Sequence, residues 1–362
     1  MKTINPKTNV LMILVLAASA LFTFAQEPKV SNTQFHSGPV GPGLSATVDR
    51  FRHSNGAVWL GYQVQALSRT HLSPCWTGST EREAGCCDEL QLEDKSDNLN
   101  NSDKSDFTTP MVDVLLRIDH GDVTRVRLAP AECKLNAGGV AFEWLTGVGP
   151  EDSAEFLGKL AASAAGHDTG AERNRLVEES LVALALHATP KATDVLASLA
   201  TPTNSAYLRE KAAFWLGAQR GHDGLMALRK LVCTEQDAEL RRKLAFDLSI
   251  NSDPGAVDDL IRMAKSDADG GVRGQALFWL AQKAGKKAVG ALDDAIQNDP
   301  NFEVKKKAVF ALSQLPKEES LPQLEHVAET NSNFAIRKEA IFWLGQSNDP
   351  RALAYIEAVL KR

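Results

Sequence analysis

Leu208-Arg209-Glu210-Lys211-Ala212-Ala213-Phe214-Trp215-Leu216-Gly217 returns further along the chain as Ile336-Arg337-Lys338-Glu339-Ala340-Ile341-Phe342-Trp343-Leu344-Gly345. Between the two copies the same features recur at an offset of 32 residues. Phe214, Phe246, Phe278, Phe310 and Phe342 form one column, and Leu216, Leu248, Leu280, Leu312 and Leu344 a second. Arg209, Arg241, Arg273, Lys305 and Arg337 form a third. Three columns in register do not arise by chance, and a fixed period of this length marks a stacked helical repeat. The same offset recovers Ser205, Asp237, Asp269, Asn301 and Asn333, whose side chains accept a bond from an orphan backbone N–H and so predict the start of a first helix in each unit. A second helix is marked by Leu225, Val257, Val289, Leu321 and Leu353, then three residues on by Leu228, Leu260, Leu292, Leu324 and Ile356. A degenerate unit precedes these around Leu176 to Leu199, where Val177 replaces the basic residue, as expected of a terminal repeat.

A basic residue after an aliphatic one, an alanine-rich helix ending in Leu-Gly and a second Leu-rich helix resemble the bacterial HEAT-like repeat proteins of the phycobilisome-lyase type. The resemblance covers roughly residues 155 to 362. It implies an α-solenoid that binds other proteins, with the second helices on its concave side. It does not carry over a chromophore-lyase activity, because fold alone does not transfer chemistry. HEAT-like hydroxylases that hold two irons use His-Glu dipeptides, and none of the eight histidines here precedes a Glu.

Working outward, residues 44–150 read as a small, disulfide-containing, mainly antiparallel β domain. Its apolar runs are Val58 to Val64, Val112 to Ile118, Val123 to Leu128 and Val140 to Leu145, with turn signals at His120-Gly121-Asp122 and Asn136 to Gly139. Residues 94–106 are almost wholly polar and predict a disordered loop. Residues 26–43, with Pro28, Pro39 and Pro42 among glycines, read as an extended leader outside the core. Lys2 and Lys7 precede an apolar run from Val10 to Phe24, and Thr23-Phe24-Ala25 has the small residues of a cleavage site. Residues 1–25 therefore read as a signal peptide cut near Ala25, which predicts a periplasmic or secreted protein without an integral membrane segment.

Four of the five cysteines, Cys75, Cys86, Cys87 and Cys133, lie close together and predict two disulfides in an oxidising compartment. Pairing adjacent Cys86 and Cys87 is strained, so Cys75 is expected to bond one of them and Cys133 the other. The competing reading, a metal site from His71, Cys75, Cys86 and Cys87, lacks the paired C-x-x-C spacing of structural zinc. Cys233 is the odd thiol. It and the last repeat are candidate points of self-association.

Forty basic against forty-six acidic residues give a net charge of −6, which argues against a nucleic-acid partner. The chain has no G-x-S-x-G, no H-E-x-x-H and no phosphate-cradling glycine loop, and no cofactor is expected. Candidate protein-binding residues are the acidic row Asp293, Glu325 and Glu357 on the second helices, with Arg229 and Ile261 at the same offset in earlier units. Phe278 and the alternating Trp215, Trp279 and Trp343 on the first helices complete the set. The Phe column reads as packing between adjacent first helices or, if exposed, as a ladder for a partner. The Trp column, which also holds Asp247 and Ala311, is expected to be partly buried. The functional expectation is an exported, non-enzymatic protein-binding scaffold. The alternative is an accessory subunit of an envelope hydrolase or a sensor, with a site in the β domain.

Overall fold

The computed structural model describes residues 27–54, 56–67, 89–94, 111–131, 133–166 and 170–361. The signal segment, His71, Cys75, Cys86, Cys87 and all of the polar loop except Asp94 fall outside these residues. From Pro150 onward the chain is helical. Helix α2 (Pro150–Ala165) is followed by six helix pairs. They are α3 (Ala171–Leu186) with α4 (Pro190–Leu199), α5 (Ala206–Gln219) with α6 (Gly221–Thr234), and α7 (Ala238–Ile250) with α8 (Ala256–Ser266). The remaining three are α9 (Gly270–Ala284) with α10 (Val289–Asn298), α11 (Phe302–Ser313) with α12 (Lys317–Thr330), and α13 (Phe334–Gln346) with α14 (Pro350–Leu360).

Each expected cap is made. Ser205 accepts from the Leu208 N–H, Asp237 from Glu239, Asp269 from Val272, Asn301 from Glu303 and Asn333 from Ala335. Leu208, Ala212, Leu216, Leu225 and Leu228 are buried together, and the counterparts of Leu208, Ala212 and Leu216 are buried in every later unit, so each pair buries its stripe against itself and its neighbours. The Gly of the Leu-Gly ending has a steric reason. A Cβ on Gly217 would stand 2.4 Å from the Asp247 carbonyl oxygen, so only glycine lets the next first helix approach that closely.

The N-terminal part is a mixed sheet. Its strands are β1 (Val30–Ser31), β2 (Phe35–Pro39), β3 (Val58–Gln65), β4 (Leu90–Gln91), β5 (Met111–Asp119), β6 (Asp122–Pro130), β7 (Leu135–Asn136) and β8 (Ala141–Thr146). A five-stranded sheet has the order β2-β8-β3-β5-β6, and a small one the order β1-β7-β4. Among the strands of the described residues, β3–β5 and β5–β6 are antiparallel. The other pairings are parallel, which corrects the expectation of a mainly antiparallel domain. The expected leader is also corrected. Phe35–Pro39 pairs along its whole length with Phe142–Thr146 as a sheet edge, where Pro39 can lack an N–H without breaking an inner ladder. A helix absent from the β reading, α1 (Leu44–Phe51), follows directly and buries Leu44 and Val48. Among the described residues there is no disulfide. Cys133 is buried with Trp59, Leu115, Phe142 and Trp144, and the cysteines expected to bond it are outside the description.

Sheet and solenoid share one core. Leu60, Tyr62, Val64, Val114 and Leu116 belong to the same buried cluster as Leu157, Leu181 and Leu184 of α2 and α3. The backbones join as well, through Leu67 N–H to the Leu186 carbonyl and Ala188 N–H to the Gln65 carbonyl, each 2.9 Å. At the sheet edge the Val126 N–H donates to the buried Glu179 carboxylate at 2.7 Å, so α3 seals part of β6.

Candidate functional site: two faces of the helical array

The basic column is structural. Arg241 donates to both oxygens of Asp267 at 2.8 and 2.9 Å and also to the Glu235 and Gln236 carbonyls. Arg273 does the same to Asp299, at 2.7 and 2.9 Å, and to the Asp267 and Ala268 carbonyls. Arg209 meets Glu235 at 2.5 Å. The partners Glu235, Asp267 and Asp299 stand in a fourth column at the 32-residue offset, which the reading of the sequence missed; Asn331 continues it but offers Arg337 only its carbonyl, and Lys305 turns to the Gln297 carbonyl. Burial favours neutral Asp267 and Asp299, but the arginine hydrogen bonds override it and hold both carboxyls below their ordinary range. Each acid also accepts from the backbone two residues on, as Asp267 does from Asp269 N–H at 2.9 Å. The units of Arg241 and Arg273 are thereby tied to the ones before them.

The aromatic residues lie on the first helices. Phe214 stacks on Phe246 with centroids 6.3 Å apart, and Phe278 on Phe310 at 5.9 Å. Trp279 leans on Phe246 and Trp343 on Phe310, at 4.8 and 4.9 Å. Phe278 and the three tryptophans are half-buried. The rings therefore pack between adjacent first helices, stacked within the pairs Phe214–Phe246 and Phe278–Phe310 and tilted or edge-on against the tryptophans. Phe342, at the end of the row, is 51% exposed. The Trp column is not uniformly half-buried as expected: Asp247 is 3% exposed and Ala311 fully buried, while the indole of the following unit packs on the neighbouring Phe246 or Phe310. Burial pushes the Asp247 carboxyl well above its ordinary range.

On the second helices, Asp293, Glu325 and Glu357 stand on α10, α12 and α14 in succession. Asp293 and Glu325 have no ion pair among the described residues, and Glu357 has only Lys361 at 3.9 Å. Arg229 does not mark a free basic end, since it meets the buried Asp259 carboxylate at 2.6 Å. The exposed cations of that end are Lys230, Arg262 and Lys265, of which Arg262 and Lys265 pair with Asp259 and Asp294. Cys233 is exposed on α6. Exposed apolar residues gather on the last pair, where Leu353 and Leu360 are solvent-facing although Leu321 and Ala328 of the preceding pair are buried.

Where sheet meets solenoid, the Tyr62 hydroxyl, Ser153 Oγ and His187 Nε2 form a buried chain with 2.8 Å links, and His187 Nδ1 donates to the Ala183 carbonyl at 2.7 Å. Burial lowers His187 to a pKa of about 4, so the ring is neutral. All three groups are enclosed and mutually satisfied, which makes the chain a clamp. Among the described residues no group of His, Cys, Asp or Glu is arranged to hold a metal, and no helix is long and apolar enough to cross a membrane.

Residues 193–281 and 289–362 match the family model of HEAT repeats, so this stretch of the helical part carries HEAT repeats. No curated protein matches the chain. Similar solved structures include human deoxyhypusine hydroxylase in complex with glycerol, at 19% identity over 59% of this chain and 80% of that one, with a TM-score of 0.31. The Escherichia coli protein YibA matches at 19% identity over 57% and 76%, with a TM-score of 0.33. The complex of CpcE and CpcF of phycocyanin lyase from Nostoc matches at 18% over 55% and 80%, with a TM-score of 0.30. At these values the likenesses carry no argument about activity.

Proposed function

We propose that this HEAT-repeat chain is an exported, non-enzymatic scaffold whose second-helix face holds an extended, basic segment of another protein. One observation carries the reading. The array pairs its inner arginines with carboxylates, yet among the described residues leaves Asp293 and Glu325 outside any direct ion pair on successive second helices, with only the Arg351 charge acting on Glu325 from a distance and Glu357 continuing the row. A row of unneutralised carboxylates attracts a polycation and repels a polyanion. The aromatic row is a spine of the fold, because its ring faces are consumed by packing. Export, with two disulfides among Cys75, Cys86, Cys87 and Cys133, belongs to the same proposal and is supported by the N-terminal sequence. Thiol titration of the unfolded mature protein is expected to find one free thiol, Cys233. The exposed Phe342, Leu353 and Leu360 support self-association through the last pair, which sedimentation at several concentrations tests.

The experiment for the main reading is titration with a synthetic lysine-rich peptide at low and high salt. Binding is expected to weaken as salt rises and to fall at least about tenfold when Asp293, Glu325 and Glu357 are changed together to Asn, Gln and Gln. Salt-insensitive binding, or binding that survives the triple change, overturns it.

A further inference from the structure

Every second unit of the array carries a tryptophan on its first helix and, in two of the three cases, a cation that reaches back into the preceding unit. In the unit of Trp215, the Arg220 guanidinium donates to the carbonyls of Ala185, His187 and Thr189, at 3.2, 2.7 and 2.7 Å. In the unit of Trp279, the Lys283 ammonium donates to the carbonyls of Ser249 and Asn251, at 2.9 and 2.6 Å. Ser249 and Asn251 lie 64 residues after Ala185 and His187, so the two cations occupy the same place in the repeat. That place is the C-terminal end of a first helix, where unsatisfied carbonyls and the helix dipole favour positive charge.

The third case is open. Sixty-four residues after Trp279 stands Trp343, but Ser347 replaces Lys283 and is too short to reach back. The equivalent carbonyls, of Ser313 and Leu315, accept no hydrogen bond among the described residues. Where the lysine stem lies in the earlier unit there is instead a crevice of about 110 Å³ between α11, α12 and α13. Ser313, Ser320, Leu324, Trp343, Gln346 and Ser347 are among its lining residues. Ser320 is 3% exposed and its hydroxyl has no partner among the described residues, whereas the earlier unit has Ala256 at that position. In the intervening unit the residue at the same offset is Leu315, which is buried. The crevice is far below the roughly 300 to 1,000 Å³ of a cofactor or drug-sized pocket and matches a single side chain. Its lining carries no charge, as in the Lys283 unit, where carbonyl oxygens alone receive the ammonium.

We propose that the crevice beside Trp343 is a cation slot, filled by one lysine or arginine side chain of a bound polypeptide in the way Lys283 fills the equivalent slot from within. The inference builds on the reading that the array binds protein, and it gives that partner a fixed anchor in addition to the acidic face.

The test uses the whole mature protein and follows the Trp343 indole N–H signal by NMR while N-acetyl-lysine methylamide is added. The uncharged N-acetyl-norleucine methylamide, of similar length, is the control. A saturable shift with the lysine probe and none with the norleucine probe is expected. Ser347→Lys, which restores the internal lysine, is expected to raise the melting temperature and to weaken probe binding at least about tenfold. If that variant does not fold, Ser320→Leu, which fills the slot with an apolar side chain, takes its place with the same expected loss. Absence of a lysine-dependent shift, equal shifts with both probes, or undiminished binding to the filled variant overturns the slot. The two proposals fail separately. Neutralising Asp293, Glu325 and Glu357 is expected to leave the Trp343 shift intact, and a slot that holds while the lysine-rich peptide fails to bind sinks the acidic-face reading alone.

Discussion

Two ion pairs, Arg273–Asp299 and Lys265–Asp294, lie close together in the same part of the array with similar separations of 2.7 and 3.1 Å, yet the physics assigns them different weights. The side chains of the first are 9% and 6% exposed, those of the second 50% and 42%. Removing one partner of the buried pair leaves a charge that water cannot reach, and such losses run to about 3 to 5 kcal/mol. Arg273→Met also releases the carbonyls of Asp267 and Ala268 and so loosens the joint with the preceding unit. Lys265→Met removes a solvated contact worth about 0.2 to 1 kcal/mol, most of which salt already screens. Amide hydrogen exchange resolves the two. Arg273→Met is expected to lower protection across α8, α9 and α10 by the larger amount, independently of salt, while Lys265→Met changes α8 and α10 slightly and only at low salt. The double change Arg273→Met with Asp299→Leu should cost less than the sum of its parts, because neither charge is then left unpaired. Equal costs for the two single changes, within about 0.5 kcal/mol, would show that exposure does not govern these joints.

Phe278→Ser strips a half-buried ring that stacks on Phe310 and meets Trp279 edge-on at 4.9 Å, and should lower stability by about 2 to 3 kcal/mol in urea titration without altering binding of the lysine-rich peptide; lost binding with unchanged stability would make the row a ladder for a partner. His187 contributes a pH dependence. Its pKa falls from 6.5 unfolded to about 4 folded, so the folded state takes up fewer protons, and stability present above pH 6.5 is lost as pH falls toward 4 by up to about 3 kcal/mol. Melting temperatures of the wild type and His187→Asn between pH 7 and 4 should therefore converge, and parallel curves would refute the assignment.

The helical half was legible because its periodicity repeats one local solution. Phe, Leu, Arg and cap columns each report a position with similar surroundings in successive units, the exposed Phe342 and the carbonyl-bound Lys305 and Arg337 aside, and all five caps form as the residue types require. The acid column escaped notice because it changes identity, from Glu235 through Asp267 and Asp299 to Asn331, and its role emerges only when each arginine is seen to close on it. Asp247 misled for a related reason. A polar residue in a variable column suggests exposure, whereas here Trp279 of the next unit packs over the neighbouring Phe246. In the N-terminal half, Phe35–Pro39 resembles a linker because its composition is dominated by Ser, Gly and Pro, and nothing local announces that Phe142–Thr146 arrives beside it in parallel. Parallel pairing is a long-range fact, set by partners more than a hundred residues apart. The open slot beside Trp343 was invisible for the same reason, since Ser347 is unremarkable until compared with the Lys283 it replaces.

The shared core between sheet and first helices gives the array a direction. One end is clamped by Tyr62, Ser153 and His187 and by strand-like bonds to Gln65 and Leu67, while each later pair is held mainly by its immediate neighbours. Pulled from both ends in an optical trap, the molecule should peel as a zipper does, in steps of one helix pair starting farthest from the sheet. The final rupture should be a single, higher-force event in which the sheet and the helices against it let go together.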